Sequence, residues 1–345
     1  MARSGREIHP AKYPQGEVRS SDFRVVEVDV PAPRPGEVLV RNTWTSVDPA
    51  LRIRLRERAP EGYFPSFPLG APMDGILTIG EVVESRADGF APGDTVWHAS
   101  GWRDYAVVEA GKEALRGLAT LTRLDTSAAA PQAYLGVLGA NGLTAYAGLV
   151  HVAELREGDV VWVSAAAGSV GSLVAQIAKN RGHRVIGSAG SDEKVRYLLD
   201  ELGVDAAFNY KSRPVVDSLR EAAPDGIDLY FDNVGGDHLE AALTMLRRDG
   251  RVALCGAVSE YDASEPVPGP RNLFLTTAKD LTLRGFRGSS HTPRLAEAQR
   301  ELGGWLREGR LKWQETVIDG LENAPDALAR VMRGDTLGKT LVRIA

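Results

Sequence analysis

The sequence has few of the residues that build disulfide-stabilised or metal-rich proteins. Cys255 is the single cysteine among 345 residues, which excludes an intramolecular disulfide and a cysteine-rich metal site. The six histidines form no ligand motif with one another or with Cys255. We therefore expect no metal site.

Long apolar runs and a strong charge of one sign are also missing. No apolar run approaches the ~20 residues that span a membrane, and the first residues, MARSGREIHPAKYPQG, lack the apolar core of a secretory signal. The net charge is −5 with both signs spread along the chain, which disfavours a nucleic-acid-binding surface. The arginine-rich stretch 52–58 is interpreted as a solvated face. We expect a cytoplasmic globular protein that is long enough for two domains.

The most informative stretch runs from residue 159 to residue 178. Val160–Val163 is a short β-branched run of the kind found in buried strands, and apolar residues at helical spacing follow a small-residue turn. A strand, a glycine turn and a helix form the first unit of a dinucleotide-binding fold, in which the helix N-terminus attracts a pyrophosphate. The motif reads A-x-G-x-x-G over Ala166, Gly168 and Gly171. Because the first glycine is replaced, a tight turn that binds nothing stays open as the alternative.

Strands and helices alternate after residue 136, whereas residues 17–110 are mostly β. Such alternation indicates a parallel sheet covered on both faces. The predicted fold class is α/β: a Rossmann-type doubly wound parallel sheet over 136–300, and a β-rich domain formed by 1–135 and 301–345. A cleft between the two domains is the expected substrate site. The predicted strands are 23–30, 37–45, 76–83, 94–97, 105–108, 160–163, 183–188, 206–209, 227–232, 251–255, 281–286 and 340–344, and the segment 313–318 is expected to return to the first domain. The helices predicted besides the one after the glycine turn are 143–155, 191–202, 238–246, 292–308 and 324–332.

The end of the second α/β strand favours NADPH over NADH. A site for NADH usually has an acidic residue there, about 20 residues beyond the glycine motif. This chain has GSAGS over 187–191, which leaves room for a 2′-phosphate. Lys194, one turn into the next helix, can supply the matching charge. Asp192 and Glu193 can instead serve the helix N-terminus, and a Lys194 that is merely exposed is the open alternative.

Short strings in a fixed order carry a family resemblance over nearly the whole chain. They are SVDP (46–49), GW-x-x-YAVV (101–108), LGVLG (135–139), GLTAY (142–146), AAAGSVGS (165–172), GSDEKV (190–195), FNYK (208–211), DNVGG (232–236) and LGKT (337–340). On these strings the chain resembles the zinc-independent medium-chain dehydrogenases/reductases. It is most similar to the branch of prostaglandin reductases, plant alkenal double-bond reductases and bacterial curcumin reductases.

The resemblance implies a GroES-like catalytic domain for the β-rich part and NADPH as the cofactor. Cys255 is interpreted as a small buried residue rather than a nucleophile. Gly235 and Gly236 are open to the plainer interpretation of a strand-to-helix turn. The implied cofactor contacts are Ala166, Gly168, Ser169, Val170 and Gly171 at the pyrophosphate, Gly190, Lys194 and Tyr210 at the 2′-phosphate end, Asn233 at the nicotinamide-side ribose, and Cys255, Gly256 and Phe286 at the nicotinamide.

The resemblance also implies the reaction. In this family NADPH gives a hydride to the β-carbon of an α,β-unsaturated aldehyde or ketone, and the α-carbon then takes a proton. Tyr261 matches a tyrosine proposed in relatives as the proton donor or a substrate contact, since a phenol can donate to an enolate. A role for Tyr261 in lining the pocket only is the alternative. The substrate is thus expected to be a small activated alkene, and the protein a homodimer with its interface near 281–286.

Two other functions stay open. An NADPH quinone reductase has the same fold, and a cofactor-binding protein with little catalysis would retain the same glycine motif. A zinc alcohol dehydrogenase is disfavoured because its cysteine and histidine ligands are missing.

The chain departs from the family mostly at the substrate end. Smaller side chains at two of the departing positions predict a roomier pocket, and the arginine among them predicts an anionic or polar substrate. The departing residues are Ala50 in place of Tyr, Ala140 and Asn141 in place of Met-Pro, Arg287 and Gly288 in place of aliphatic residues, and Thr336 in place of Asn.

Overall fold

The computed structural model of the chain describes residues 3–127 and 129–345. It divides into two compact units. Unit 1 comprises the residues up to Ala140 and Glu315–Ala345, and unit 2 comprises Asn141–Gln314. Unit 2 contains a parallel sheet with helices and unit 1 a mostly antiparallel sheet, so the predicted α/β class is confirmed. The predicted domain boundaries after residues 135 and 300 stay a prediction.

No helix within the described ranges is both long and apolar enough to cross a membrane.

The strands and helices of unit 2 follow the predicted pattern closely. The strands, in chain order, are β1 (Arg3–Pro10), β2 (Phe23–Val30), β3 (Glu37–Val47), β4 (Thr78–Ser85), β5 (Thr95–His98), β6 (Tyr105–Glu109), β7 (Thr122–Arg123), β8 (Val160–Val163), β9 (Arg184–Ala189), β10 (Ala206–Asn209), β11 (Ile227–Asp232), β12 (Leu246–Leu254), β13 (Thr282–Gly285), β14 (Glu315–Asp319) and β15 (Lys339–Arg343). The helices are α1 (Ala50–Arg54), α2 (Ala140–Tyr146), α3 (Ser169–Asn180), α4 (Asp192–Arg196), α5 (Val215–Ala222), α6 (Gly236–Met245), α7 (Leu275–Ala278), α8 (Leu295–Arg307) and α9 (Ala324–Arg333). Helices α2 and α4 continue as π-helical turns over Ala147–Val152 and Tyr197–Glu201.

The sheet of unit 2 has the strand order β10-β9-β8-β11-β12-β13, and all its pairs are parallel. Its central strands are short apolar runs because helices cover both faces, and Trp162, Ile186 and Tyr230 are fully buried in its core. This is the doubly wound order, in which the direction of strand addition reverses beside the first strand, here β8. A ligand of such a sheet binds outside the carboxyl ends of the strands at that reversal.

Unit 1 is built on the sheet β14-β15-β3-β4-β5-β7, with β6 also paired to β3. The end of the chain returns to this unit, because β15 lies between β14 and β3. A separate antiparallel pair joins β1 to β2. The sequence did not predict β1, which has too few apolar residues to show a clear period. Helix α5 was also missed, although Val215, Leu219 and Ala222 stand at helical spacing.

The arginine-rich stretch is not a solvated face at two of its positions, so that interpretation is wrong there. Arg52 and Arg54 are both buried. Arg52 donates to the carbonyl oxygen of Gly16 at 2.9 Å, and Arg54 donates to that of Pro65 at 2.9 Å. The guanidinium of Arg54 also lies 3.8 Å from the ring centroid of Phe67. Carbonyl oxygens and an aromatic face from distant loops satisfy these buried cations, which no local pattern reveals.

Candidate functional site

A tight turn after β8 leads directly into α3. Ala165 has a positive φ of +47°, and the N–H of Ala166 donates to the carbonyl oxygen of Ser188 in β9 at 3.0 Å. A Cβ added at Gly171 would overlap the carbonyl oxygen of Ala165. Only glycine therefore lets α3 approach the turn this closely. Gly168 precedes the helix in an extended conformation. The first N–H groups of a helix have no partner within it and can bind an anion.

Two buried hydroxyl groups near this turn have no hydrogen-bond partner in the part of the chain that the structure describes. They are Ser169 Oγ and Ser188 Oγ. Buried hydroxyls without partners are rare in folded proteins, so each suggests a group that the bare chain does not supply. Ser169 is the first residue of α3. Its hydroxyl and the first N–H groups of α3 together fit the oxygens of a pyrophosphate.

Three residues with positive or phenolic side chains follow the ends of β9 and β10. A Cβ added at Gly190 would lie 3.2 Å from Tyr210 Oη and 3.4 Å from Lys211 Cε. Lys194 stands in the first turn of α4, where its N–H donates to Ser191 Oγ at 3.3 Å. We call Gly190, Lys194, Tyr210 and Lys211 the adenosine-end cradle. The Tyr210 phenol and the Lys211 side chain lie close to Gly190, and Lys194 follows four residues later in the chain. Phenol and ammonium groups suit a phosphate, since each can donate a hydrogen bond to it.

One of the two acidic residues between Gly190 and Lys194 is hydrogen-bonded to the end of β10. Asp192 Oδ1 accepts a hydrogen bond from Asn209 Nδ2 at 2.8 Å. Ala189 and Gly190 occupy the strand end where an acid would bond the ribose hydroxyls of NADH. The local geometry therefore favours a 2′-phosphate over a free 2′-hydroxyl.

Aromatic packing holds Tyr210 in place. Its ring lies edge-on to His238, with ring centroids 5.0 Å apart, and His238 stacks on Trp162 at 5.8 Å. Burial lowers the pKa of His238 to about 4, so its imidazole is neutral at pH 7. His238 thus supports the cradle by packing and not by charge.

A buried hydrogen-bond network holds Asn233 at the carboxyl end of β11. Asn233 Nδ2 donates to the carbonyl oxygen of Ser164 at 2.8 Å, and its backbone N–H donates to Ser164 Oγ at 3.0 Å. Tyr230 Oη lies 2.9 Å from Ser164 Oγ and 2.7 Å from Asp232 Oδ1, which also accepts the N–H of Gly235. Burial outweighs these hydrogen bonds and raises the pKa of Asp232. The network connects the ends of β8 and β11 on both sides of the reversal.

Cys255, Gly256 and Tyr261 follow the end of β12. The N–H groups of Cys255 and Gly256 both donate to the carbonyl oxygen of Asp232, at 2.9 and 3.0 Å. Tyr261 Oη accepts the N–H of Ala257 at 3.2 Å and lies 2.9 Å from the place of a Cβ at Gly256. Burial raises the pKa of the Cys255 thiol to about 12. A thiol that stays protonated is a poor nucleophile, which favours its interpretation as a packing residue.

Phe286 comes directly after β13, the outer strand of the sheet. Its N–H donates to the carbonyl oxygen of Leu254 at 3.3 Å, and its ring lies edge-on to Phe231 with centroids 6.1 Å apart. Every cofactor contact implied by the resemblance is thus on or near the carboxyl ends of the parallel strands. Their roles as contacts stay predictions.

Some residues that shape this site had no role in the sequence reading. Asp232 and Lys211 lie inside the matching strings DNVGG and FNYK, so the strings themselves were the available signal. Ser164 gave no signal, because only the pairing of β8 with β11 brings it to Tyr230 and Asn233.

Gly288, one of the departures from the family, does not create free space around it. A Cβ at Gly288 would overlap Oγ1 of Thr144 and lie 3.2 Å from its Cβ. The room left by the missing side chain is therefore filled by the threonine hydroxyl. The prediction that Arg287 admits an anionic substrate stays a prediction.

No group of three or more His, Cys, Asp or Glu side chains is arranged to hold a metal ion within 3–127 and 129–345.

The fold and the strand-end geometry together define a dinucleotide-binding oxidoreductase class. Family models agree: one described as the N-terminal domain of oxidoreductase matches residues 6–115, and one described as zinc-binding dehydrogenase matches residues 169–302. The chain belongs to the medium-chain dehydrogenase/reductase family, in its zinc-independent branch. The resemblance stated from the sequence strings is confirmed.

Three relatives are similar over almost their whole length. The NADPH-dependent curcumin reductase of Escherichia coli is 38% identical, over 97% of this chain and 95% of its own. Prostaglandin reductase 1 of Bos taurus is 39% identical over 96% and 97%. The NADP(+)-dependent 2-alkenal reductase of Nicotiana tabacum is 35% identical over 99% and 98%.

Solved structures give the same result for the fold. The crystal structure of CurA in complex with NADPH from Vibrio vulnificus has a TM-score of 0.91 and 33% identity, covering 99% of both chains. The Escherichia coli quinone oxidoreductase complexed with NADPH has a TM-score of 0.75 at 22% identity, over 99% of this chain and 100% of its own, and shows the shared fold alone.

Proposed function

We propose that this chain is an NADPH-dependent reductase that transfers a hydride to the carbon–carbon double bond of α,β-unsaturated aldehydes or ketones. The observation that carries the proposal is its full-length similarity to reductases named for 2-alkenals, curcumin and prostaglandin. The substrate is a small activated alkene. NADPH as the cofactor agrees with the names of two of these relatives and with the NADPH held by the CurA structure.

The chain's own groups suit each part of that cofactor. The N–H groups of Ser169, Val170 and Gly171 and the hydroxyl of Ser169 bind the pyrophosphate. The adenosine-end cradle holds the 2′-phosphate. Asn233, tied to Ser164, holds the ribose on the nicotinamide side. When bound, NADPH supplies the hydride, and the protein supplies orientation and electrostatic stabilisation.

Reduction of the double bond needs a hydride at the β-carbon and a proton at the α-carbon. Negative charge develops on the carbonyl oxygen between the two events, and a donor near it lowers the barrier. Tyr261 is the group we assign to this task, because its hydroxyl stands over Gly256 at the carboxyl end of β12. The phenol donates a hydrogen bond to the enolate oxygen or passes on a proton.

The test is NADPH oxidation with a 2-alkenal, an arylbutenone and a quinone, each repeated with NADH. We expect turnover of both alkenes with a strong preference for NADPH. Turnover of the quinone alone would contradict the proposal and identify the protein as a quinone reductase. NADPH binding without turnover of any of the three would contradict the proposal and favour a cofactor-binding protein with little catalysis.

A Tyr261→Phe variant separates the two roles of the phenol. As a donor, its loss lowers kcat about 10²-fold or more, the usual contribution of general acid catalysis, while the dissociation constant for NADPH is unchanged. A kcat within threefold of the wild type would leave Tyr261 as a pocket-lining residue.

We also propose a homodimer that pairs through β13. This strand is the outer member of the parallel sheet, and Thr282 and Arg284 are exposed on it. Size-exclusion chromatography with light scattering should give twice the mass of the chain. A monomer at micromolar concentration would contradict the pairing.

A further inference from the structure

The carboxyl end of β13 packs on the helix that begins unit 2 through two glycines. A Cβ at Gly148 would overlap Cζ of Phe286 and lie 2.7 Å from Cε2 of Phe231. In the opposite direction, a Cβ at Gly288 would overlap Oγ1 of Thr144. Each segment therefore presents a side chain where the other has none. Residues 144–148 and 286–288 are fitted to each other by these two contacts.

Gly148 lies in the π-helical turn Ala147–Val152 that continues α2. π-Helical turns inside α-helices are uncommon and occur often at functional sites. The end of this turn is tied to the same strand, because Arg284 Nη1 donates to the carbonyl oxygen of Val152 at 2.9 Å. Two contacts therefore fix the position of Phe286 relative to the π-helical turn. One is the hydrogen bond from Arg284 to Val152, and the other is the contact of the Phe286 ring with Gly148.

The packing determines which ring would move if Gly148 carried a side chain. Phe231 is fully buried in the centre of the sheet, whereas Phe286 is only half-buried. Close-packed interiors do not yield, so the added methyl group would displace Phe286. Phe286 stands at the carboxyl end of β13, on the β11–β13 side of the strand-order reversal. In a doubly wound sheet the two halves of a dinucleotide lie on opposite sides of that reversal, and the adenosine-end cradle occupies the β9–β10 side.

We propose that Gly148 is a positioning residue for the nicotinamide half of the cofactor site. Its missing side chain seats the ring of Phe286, and the seated ring forms the wall of that half. The inference rests on the proposed NADPH-dependent function. It predicts that a side chain at position 148 weakens binding of the nicotinamide half and spares the adenosine half.

Calorimetric titration with two ligands tests this. NADPH fills both halves, and adenosine 2′,5′-bisphosphate fills only the adenosine half. In Gly148→Ala we expect the dissociation constant for NADPH to rise at least tenfold and that for the bisphosphate to stay within twofold. The matched control is Gly304→Ala in α8, where an added Cβ has no neighbour within 4 Å. This control should bind both ligands as the wild type does.

A second-site variant separates positioning from general damage. Phe286→Leu shortens the ring that meets the added methyl group, so Gly148→Ala in that background should change NADPH binding less than threefold relative to Phe286→Leu alone. This comparison also decides the case if Gly148→Ala by itself does not fold, which circular dichroism would show. Equal losses for both ligands, an unchanged affinity for NADPH, or a Gly148→Ala effect as large in the Phe286→Leu background as in the wild type would each overturn the proposal.

Binding does not depend on turnover, so failure of the inference and failure of the proposed function can be told apart. If the wild type binds NADPH but reduces no alkene, the proposed reaction is contradicted. The binding comparison at Gly148 still tests the inference in that case. A wild type that binds only the bisphosphate overturns both.

Discussion

At the scale of single residues, we expect the charge that follows β9 to decide which cofactor is preferred. Lys194→Ala removes one charged donor from the adenosine-end cradle, and a hydrogen bond to a charged group is worth about 1.5–3 kcal/mol. We expect the KM for NADPH to rise about 10- to 100-fold with little change for NADH. Steady-state kinetics with both cofactors measures this.

Two further lysine variants sharpen that experiment. Lys211→Ala should weaken NADPH in the same way, because its Cε lies 3.4 Å from the place of a Cβ at Gly190. Lys112→Ala is the control, since that lysine is exposed in unit 1 and its ion pair with Glu109 has no part in the cradle. Equal losses for NADH and NADPH in Lys194→Ala would contradict a contact with the 2′-phosphate.

Buried histidines make stability depend on pH. The folded protein lowers the pKa of His238 to about 4 by burial, so between pH 4 and 6.5 the unfolded chain binds more protons. This contribution is fully present above pH 6.5 and is lost as the pH falls. Between pH 8 and pH 5 it amounts to about 2 kcal/mol.

The measurement is thermal unfolding of the wild type and of His238→Gln at pH 8 and pH 5. The variant should lose less stability than the wild type on acidification. Part of the dependence will persist because burial also lowers the pKa of His98 to about 3. Identical pH dependence in both proteins would mean that His238 is protonated in the folded state.

At the scale of elements, the approach of α3 to the turn after β8 depends on Gly171. A Cβ there would overlap the carbonyl oxygen of Ala165 and lie 2.8 Å from Cα of Ala166, and neither backbone atom can move aside cheaply. Gly171→Ala should lower the free energy of unfolding by about 1–3 kcal/mol and raise the dissociation constant for NADPH at least tenfold.

The neighbouring glycine is the matched comparison. A Cβ at Gly168 would meet only the carbonyl oxygen of Ala165, at 3.2 Å. Gly168→Ala should therefore keep most of the stability that Gly171→Ala loses. Equal unfolding midpoints for the two variants would contradict the close-approach argument.

The order of strands and helices could be predicted from the sequence, but the type of some helices could not. The alternating strands 160–163, 206–209 and 227–232 have the predicted bounds because short buried strands are continuous apolar runs. Helix 143–155 was predicted as one α-helix, yet its second part is a π-helical turn. Gly148 in this turn lies against Phe231 and Phe286, which are distant in the sequence, so its surroundings are not a local property.

At the scale of the whole chain, the return of the C-terminal residues is stabilised by a buried ion pair. Lys339 Nζ in β15 donates to Asp48 Oδ1 after β3 at 2.5 Å, and both residues are buried. Lys339→Met leaves a buried carboxylate without its cation, which typically costs about 3–5 kcal/mol. Urea unfolding should show that loss.

An exposed pair in the same strand is the control. Arg343 pairs with Asp319 at 2.5 Å, and both side chains are at least half exposed. Arg343→Ala should change stability by less than about 1 kcal/mol. A Lys339→Met variant as stable as Arg343→Ala would contradict a stabilising role for the buried pair.

The sequence by itself determined the order of strands and helices, the βα unit of the glycine turn and the family strings. It also placed the implied contacts at strand ends, since the carboxyl ends of parallel strands meet at one edge of the sheet. Only the tertiary structure decided that Arg52 and Arg54 are buried, that Ser164 holds Asn233 and that the ring of Phe286 lies against Gly148. Periodicity records which face of an element is apolar, whereas these contacts join residues that only strand order and packing bring together.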